Sequence, residues 1–177
     1  MTTRRTATRL LIVAAASIGA LAAIFAIGGF RLNLTPSAPV GLWRIEPLNR
    51  SPEIGDRIFV CLPDGPAVRL ALQRHYLPRG LCPSGGSPLI KSVAATGGQT
   101  VTIVDHVQID GQRLLGSLVL SADAAGRVMP RYAGGIVGNN TVYLHSDFQG
   151  SYDSRYFGPV PTDGVLGLAI EVLTFSP

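Results

Sequence analysis

The sequence contains few cysteines and a single lysine. Two of its 177 residues are cysteines. Neither Cys61 nor Cys82 belongs to a CxxC motif or stands in a cluster of histidines and cysteines. Zinc sites and dithiol redox sites depend on such spacings. We therefore expect no metal site and no redox function.

The sequence also lacks the features of a nucleic-acid-binding protein, although its net charge is +4 and its pI is near 9.5. The arginines are scattered singly along the chain. No basic helix, zinc-finger spacing or aromatic RNA-binding motif accompanies them. We therefore expect no nucleic-acid partner.

One long apolar run lies near the N-terminus. Residues 10–30 carry no charge, and as a helix they would span about 31 Å, which matches a bilayer core of ~30 Å. Arg4, Arg5 and Arg9 precede the run and Arg31 alone follows it, so the positive-inside rule places the N-terminus in the cytoplasm. The predicted domains are a cytoplasmic N-terminus (1–9), a transmembrane anchor (10–30) and an extracytoplasmic domain (31–177).

A cleavable signal peptide is the alternative for this run, because Ala20-Leu21-Ala22 fits an A-x-A cleavage site. The run continues well past that site, which favours a retained anchor. An exported domain lies in an oxidising compartment, where a cysteine pair usually forms a disulfide. The sequence thus predicts a structural Cys61–Cys82 bridge, which stabilises the domain by ~3 kcal/mol in the chain-entropy model.

The exported part has the composition of a β protein. Its apolar runs are short, and the 21 glycines and 13 prolines of the chain interrupt them. Asp110-Gly111 is typical of a two-residue hairpin turn. Residues 67–76, between the cysteines, have helical spacing instead. We expect a mainly β, antiparallel domain with one short helix, preceded by a single N-terminal transmembrane helix.

A serine stands between two prolines just after the apolar run. Proline fixes its own φ angle and restricts the residue before it, so Pro36 and Pro39 place Ser37 on a stiff, non-helical turn. A nucleophilic hydroxyl benefits from this rigidity, because it is not oriented anew for each attack. A rigid linker leaving the bilayer is the alternative.

Lys91 is the only lysine, since every other basic side chain apart from histidine is arginine. Arginine keeps its proton in proteins, whereas the pKa of a lysine in apolar surroundings falls by several units. Leu89, Ile90 and Val93 provide such surroundings, so Lys91 has the features of a lysine general base. The alternative is a surface lysine on the outer face of an amphipathic strand.

A polar cluster follows near the C-terminus. Asp153 and Arg155 are two residues apart, so on an extended segment both would face one side and could form an ion pair. Ser151 would share that side and could hydrogen-bond a neighbouring amine. A polar surface loop is the alternative. Residues 145–147 (HSD) do not predict a catalytic triad, because adjacent residues on a strand point to opposite faces.

Taken together, these stretches resemble the type I signal peptidase clan: a serine outside a membrane anchor, a lysine on a later strand, and a downstream S-x-D-S-R segment. The segment SAPVGLWR, the cysteine pair around a short helix and the segment PLIKSVAA resemble the TraF-type peptidases that process conjugal-transfer pilins. The chain departs from the wider clan at Lys91-Ser92, at Gly98-Gln99 and at residues 145–147. At these places Lys-Arg, Gly-Asp and Gly-Asp-Asn are usual.

The resemblance implies that Ser37 is the nucleophile and Lys91 its general base. In related enzymes the hydroxyl at the place of Ser151 orients the lysine amine. The places of Asp153 and Arg155 hold a supporting ion pair. The oxyanion would be held by the backbone N–H of Ser37, with the hydroxyl of Thr35 as a second donor.

The resemblance also implies a serine endopeptidase of the bacterial inner membrane, with its catalytic domain on the periplasmic side and without a cofactor. Its partners would be membrane lipid and a pro-pilin or similar membrane-bound precursor. The sequence leaves open whether water or the pilin's own amino terminus resolves the acyl-enzyme. A general type I signal peptidase and a non-enzymatic β scaffold of a secretion or conjugation assembly are the alternatives. We also expect exposed apolar side chains near the serine, Trp43 among them, to rest on the bilayer.

Overall fold

The structure is a computed structural model that describes residues 2–175. Side chains are described for these residues except 2–5, 21, 22 and 26. The three helices of this part are α1 (Thr2–Ile27), α2 (Pro66–Gln73) and α3 (Ser154–Phe157), and a 3-10 turn lies at Thr162–Gly164. The eleven strands are β1 (Phe30–Asn33), β2 (Val40–Glu46), β3 (Arg57–Val60), β4 (Leu89–Thr96), β5 (Thr100–Ile103), β6 (His106–Ile109), β7 (Gln112–Leu118), β8 (Gly135–Ile136), β9 (Thr141–His145), β10 (Val160–Pro161) and β11 (Val165–Phe175).

Helix α1 is long and apolar enough to cross a membrane. Its apolar span, Thr6–Phe25, has a mean hydropathy of 2.0 and is not buried against the rest of the described chain. The helix ends at two glycines. A Cβ added at Gly28 would lie 2.7 Å from the carbonyl oxygen of Ile24, and Gly29 has a φ angle of +70°. The helix therefore ends three residues before residue 30, the predicted boundary of the anchor.

The strands form two antiparallel sheets. The larger sheet has the order β1-β2-β11-β3-β4-β9-β10, and the smaller has the order β7-β6-β5-β8. Every strand pair within the described chain is antiparallel. The last strand, β11, lies between β2 and β3. The predicted mainly β, antiparallel fold with an N-terminal apolar helix is confirmed.

The segment between the two cysteines has the predicted form. Cys61 and Cys82 form a disulfide with a Cα–Cα distance of 5.6 Å. The loop that it closes contains α2, which ends at Gln73, three residues before the predicted end at residue 76. The helix stops there because His75 adopts a φ angle of +61°, outside the right-handed helical region.

The position of Trp43 contradicts the prediction that its side chain is exposed. It has no exposed surface and packs with Ala38, Phe59 and Ile90 in a cluster between the strands. Its indole Nε1–H donates a 2.9 Å hydrogen bond to the carbonyl oxygen of Pro39. The prediction that Trp43 rests on the bilayer was wrong, because alternation along β2 turns this residue inward.

Candidate active site

Ser37 lies on the loop between β1 and β2, which we call the serine loop (residues 34–39). Asn33 and Gly41 pair across the two strands and close the base of this loop. The following residue, Ala38, is buried, and Trp43 holds Pro39 through the indole hydrogen bond. Ser37 itself is half-buried. Contacts with the rest of the domain therefore hold the base and the C-terminal arm of the turn.

Lys91 lies on β4 and is buried, with 3% of its surface exposed. Its strand partner on β3 is the buried Ile58. Burial lowers the pKa of Lys91 to about 8, while the nearby Asp153 carboxylate raises this pKa and the Arg155 guanidinium lowers it further. Among the hydrogen bonds of the described residues none involves the Lys91 amine. The alternative of a surface lysine is thus excluded.

The structure brings four of the predicted site residues to one cavity. A cavity of about 460 Å³ is lined by Thr35, Ser37, Lys91 and Ser151. The Oγ of Ser151 is buried and has no hydrogen-bond partner among the described residues. A buried hydroxyl without a partner is costly. This hydroxyl is therefore available to a group that enters the cavity or to a moved lysine amine.

A second, smaller cavity of about 250 Å³ is also lined by Ser37 and Lys91, together with Arg57, His145 and Ser146. The residues that line both cavities are Pro36, Ser37, Ile90, Lys91 and Phe148. The Ser37 side chain is therefore accessible from two cavities.

Asp153 and Arg155 form the predicted ion pair, and both are fully buried. The contact is bidentate: Nε of Arg155 lies 2.8 Å from Oδ1 of Asp153, and Nη2 lies 2.9 Å from Oδ2. The remaining guanidinium hydrogens donate to main-chain carbonyls, including Leu118 at 2.9 Å and Ser151 at 3.2 Å. A buried pair that is this completely hydrogen-bonded is structurally fixed.

The predicted geometry of this pair was wrong. Asp153 is the N-cap of α3, and its carboxylate accepts the backbone N–H of Arg155 at 3.1 Å. The two side chains therefore meet across the first turn of a short helix and not along one face of an extended segment. The sequence pattern Asp153-Ser154 before a helical turn is a cap signal that could have indicated this.

Ser146 and His145 were not predicted as site residues. The Oγ–H of Ser146 donates a 2.6 Å hydrogen bond to the carbonyl oxygen of Ser37, and its backbone N–H donates to Asp153 at 3.1 Å. His145 is buried beside the ion pair, with Nδ1 3.6 Å from Oδ2 of Asp153. Burial lowers the pKa of His145. The sequence signal was the departure from the clan at residues 145–147.

The described residues offer no group of three or more His, Cys, Asp or Glu side chains that could hold a metal ion. The site described above contains a serine hydroxyl and a lysine amine, which are groups that act as nucleophiles and general bases in proteins.

Comparison with known proteins identifies the family of this chain. Residues 4–174 match the family described as "Signal peptidase, peptidase S26". The match spans nearly the whole chain, and the protein belongs to this signal peptidase family.

Curated relatives of this chain are conjugal or plasmid transfer proteins. A probable conjugal transfer protein TraF from Sinorhizobium fredii is 51% identical over 162 residues, which cover 92% of this chain and 86% of the relative. A conjugal transfer protein TraF from Agrobacterium tumefaciens is 52% identical, with 93% of each chain covered. A plasmid transfer protein TraF from Escherichia coli is 35% identical over 84% of this chain and 85% of its own. The predicted resemblance to the TraF type within the signal peptidase clan is confirmed.

Proposed function

We propose that this protein is a membrane-anchored serine endopeptidase of conjugative transfer, with Ser37 as nucleophile and Lys91 as general base. One observation carries the proposal: the only lysine of the chain is buried in the wall of the cavity that holds the half-buried Ser37. Membership of a peptidase family and similarity to TraF proteins of conjugal transfer support it.

The chemistry follows from the lowered pKa of Lys91. The neutral amine accepts the proton of the Ser37 hydroxyl as Oγ attacks the scissile carbonyl carbon. The backbone N–H of Ser37 donates to the oxyanion of the tetrahedral intermediate. The intermediate then collapses: the carbon–nitrogen bond breaks, the leaving amine takes the proton back from Lys91, and an ester to Ser37 remains. A second nucleophile cleaves this ester by the reverse sequence.

The strand β4 offers a backbone edge for the substrate. Residues 89–91 pair with β3 on one side, and pairing with β9 begins only at Ser92. The other edge of residues 89–91 therefore has no strand partner within the described chain, and these residues line the larger cavity together with residues of the serine loop. An extended substrate chain can add to this edge as a further strand. The acyl part of the substrate occupies this larger cavity, and the smaller cavity takes the leaving part.

The substrate in this proposal is a pro-pilin or a similar membrane-bound precursor. Helix α1 anchors the enzyme in the bacterial inner membrane, and the arginines that precede its apolar part keep the N-terminus in the cytoplasm. The site then faces the periplasm, where exported precursors emerge. Either water or the amino terminus of the cleaved pilin resolves the ester, and the product mass distinguishes a linear from a cyclic product.

A thiol titration tests the serine–lysine pair without a known substrate. Both native cysteines form the disulfide, so Ser37→Cys in the full chain introduces one free thiol. Lys91 as a nearby ammonium lowers the pKa of this thiol below the usual value of about 8.5. Iodoacetamide alkylation across pH measures that pKa. Adding Lys91→Met restores the usual pKa, whereas adding Arg113→Met, at an exposed position of β7, leaves it low.

The contrary result is a thiol at position 37 that titrates in the same way with and without Lys91. The two side chains would then be electrostatically independent. Such independence removes the base from the proposed mechanism and favours the non-enzymatic scaffold.

A further inference from the structure

The serine loop has almost no means of holding its own shape. Pro36 and Pro39 have no backbone N–H to donate. No backbone–backbone hydrogen bond joins two residues of the loop in the described structure. The carbonyl oxygens of the turn would consequently lack internal partners. Another group must satisfy them if the turn is to hold one conformation.

Trp43 and Ser146 each donate to one of these carbonyls, and the side chain of Asn33 contacts three. Its Nδ2 lies within hydrogen-bond distance of three carbonyl oxygens: Thr35 at 2.9 Å, Ala38 at 2.9 Å and Pro39 at 3.0 Å. These carbonyls come from the beginning and the end of the loop. One amide group therefore ties both arms of the turn together around Ser37.

The oxygen atom of the Asn33 side-chain amide bonds to Thr35, whose hydroxyl lies close to that of Ser37. Its Oδ1 accepts the backbone N–H of Thr35 at 3.1 Å and the Thr35 hydroxyl at 2.8 Å. The Thr35 Oγ1 lies 3.4 Å from Oγ of Ser37. Because the single hydroxyl hydrogen of Thr35 is donated to Asn33, Thr35 can only accept from Ser37 in this arrangement. The Asn33 amide thereby orients the Ser37 hydroxyl through one intermediate residue.

We propose that Asn33 is a positioning residue that sets the place and direction of the Ser37 side chain relative to Lys91. This inference rests on the proposed function of the serine–lysine pair. It also changes the expected role of Thr35: in the free enzyme its hydroxyl serves the loop, and it donates to an oxyanion only after it turns away from Asn33.

The test uses the full chain with Ser37→Cys and iodoacetamide as the probe. Asn33→Ala removes every tie that the amide makes, so the thiol leaves its place beside Lys91. We expect the alkylation midpoint to rise by about one pH unit towards that of a free cysteine. Thr35→Val removes only the hydroxyl link and should give a smaller rise. Asn49→Ala, at an exposed asparagine of another loop, is the matched control and leaves the midpoint unchanged.

A purely structural role for Asn33 predicts a different pattern. The melting temperature would then fall in Asn33→Ala while the midpoint stayed at the value of Ser37→Cys alone, and this result overturns the inference. If Asn33→Ala does not fold, Asn33→Leu decides, since it removes the same hydrogen bonds, keeps the size of the side chain and adds no charge. An unchanged midpoint in Asn33→Leu overturns the inference as well.

The failure of this inference differs from the failure of the proposed function. If the thiol at position 37 is insensitive to Lys91→Met, the serine–lysine pair fails and Asn33 has nothing to position. If the thiol responds to Lys91→Met but not to the changes at Asn33 and Thr35, only the role of Asn33 is refuted.

Discussion

The hydroxyl of Ser146 donates a 2.6 Å hydrogen bond to the main-chain carbonyl oxygen of Ser37, across 109 positions of sequence. The backbone N–H of Ser146 in turn donates to the buried carboxylate of Asp153. One residue thus joins the serine loop to the ion pair at the centre of the domain. Together with Asn33, it holds the loop from two sides.

We predict that Ser146→Ala slows catalysis more than it destabilises the fold. The loss of one hydrogen bond costs about 1 kcal/mol of folding free energy, but here the released group is the backbone of the proposed nucleophile. We expect kcat to fall about 10-fold with little change in KM, measured with a precursor that the wild type cleaves.

Ser84→Ala is the matched control for this prediction. Its hydroxyl also donates to a main-chain carbonyl, that of Leu62 at 2.8 Å, and Ser84 does not line either cavity at the serine. Its stability loss should be similar, without the loss of kcat. Equal kcat values for Ser84→Ala and Ser146→Ala would refute a role of the Ser146 bond in catalysis.

The pH dependence of the reaction should follow the titration of Lys91. Its pKa is lowered to about 8 by burial, and only the neutral amine accepts a proton. We therefore expect kcat/KM to rise about tenfold per pH unit below pH 8 and to level off above it. His145 does not produce this limb, because burial lowers its pKa from 6.5. An activity that is flat from pH 6 to 9 would contradict a lysine base.

Asp153→Asn should strongly destabilise the domain. It leaves the Arg155 guanidinium buried without its counter-charge, which costs on the order of 3–5 kcal/mol. The Asp153 carboxylate also raises the pKa of Lys91, so in any folded variant the acid limb of activity should move to lower pH. Urea denaturation and a pH profile measure these two effects.

Asp64→Asn serves as the comparison for the Asp153 variant. Asp64 pairs with Arg69 at 3.0 Å, but both side chains are exposed, and exposed pairs contribute little. We expect no measurable loss of stability from Asp64→Asn. If Asp153→Asn were equally harmless, the ion pair would not be the structural support that its burial indicates.

The face of the domain that continues from α1 should contact lipid. Leu32, Leu42 and Leu173 lie side by side on neighbouring strands β1, β2 and β11, and Leu32 and Leu173 are 69% and 62% exposed. We expect these leucines to contact lipid, the role that was predicted from the sequence for Trp43. The chain without residues 1–27 should bind liposomes, and the double change Leu32→Ser and Leu173→Ser should weaken this binding.

Leu81→Ser is the control for lipid binding, because Leu81 is 97% exposed and lies in the loop between the cysteines. It should leave the bound fraction in liposome sedimentation unchanged. Equal losses for both sets of changes would mean that exposed apolar area in general, and not this face, determines the binding.

The sequence predicted best where a single residue carries the chemical information. Lys91 was identified because arginine serves as every other long basic side chain, and the structure buries it accordingly. Short punctuated runs and the Asp110-Gly111 turn predicted the antiparallel strands, and β6 and β7 meet at this turn. These features depend on local chemistry, which the sequence contains.

The sequence did not predict the features that depend on contacts between distant segments of the chain. Alternation along β2 does not reveal which of its two faces meets the core, so the burial of Trp43 could not be read from its neighbours. The bond from Ser146 to Ser37 exists only because β9 ends beside the serine loop. The ties of Asn33 depend on the exact fold of a turn whose two prolines predict stiffness but not shape.

The most direct test of the serine–lysine pair is the processing of a co-expressed pro-pilin by wild type, Ser37→Ala and Lys91→Arg, read by intact mass. Lys91→Arg keeps the positive charge but cannot supply a neutral base. We predict that wild type cleaves the precursor and that both variants, folded and membrane-bound, leave it intact. Full processing by Lys91→Arg would contradict the proposed mechanism, and a wild type that trims only ordinary exported precursors would make the protein a general signal peptidase.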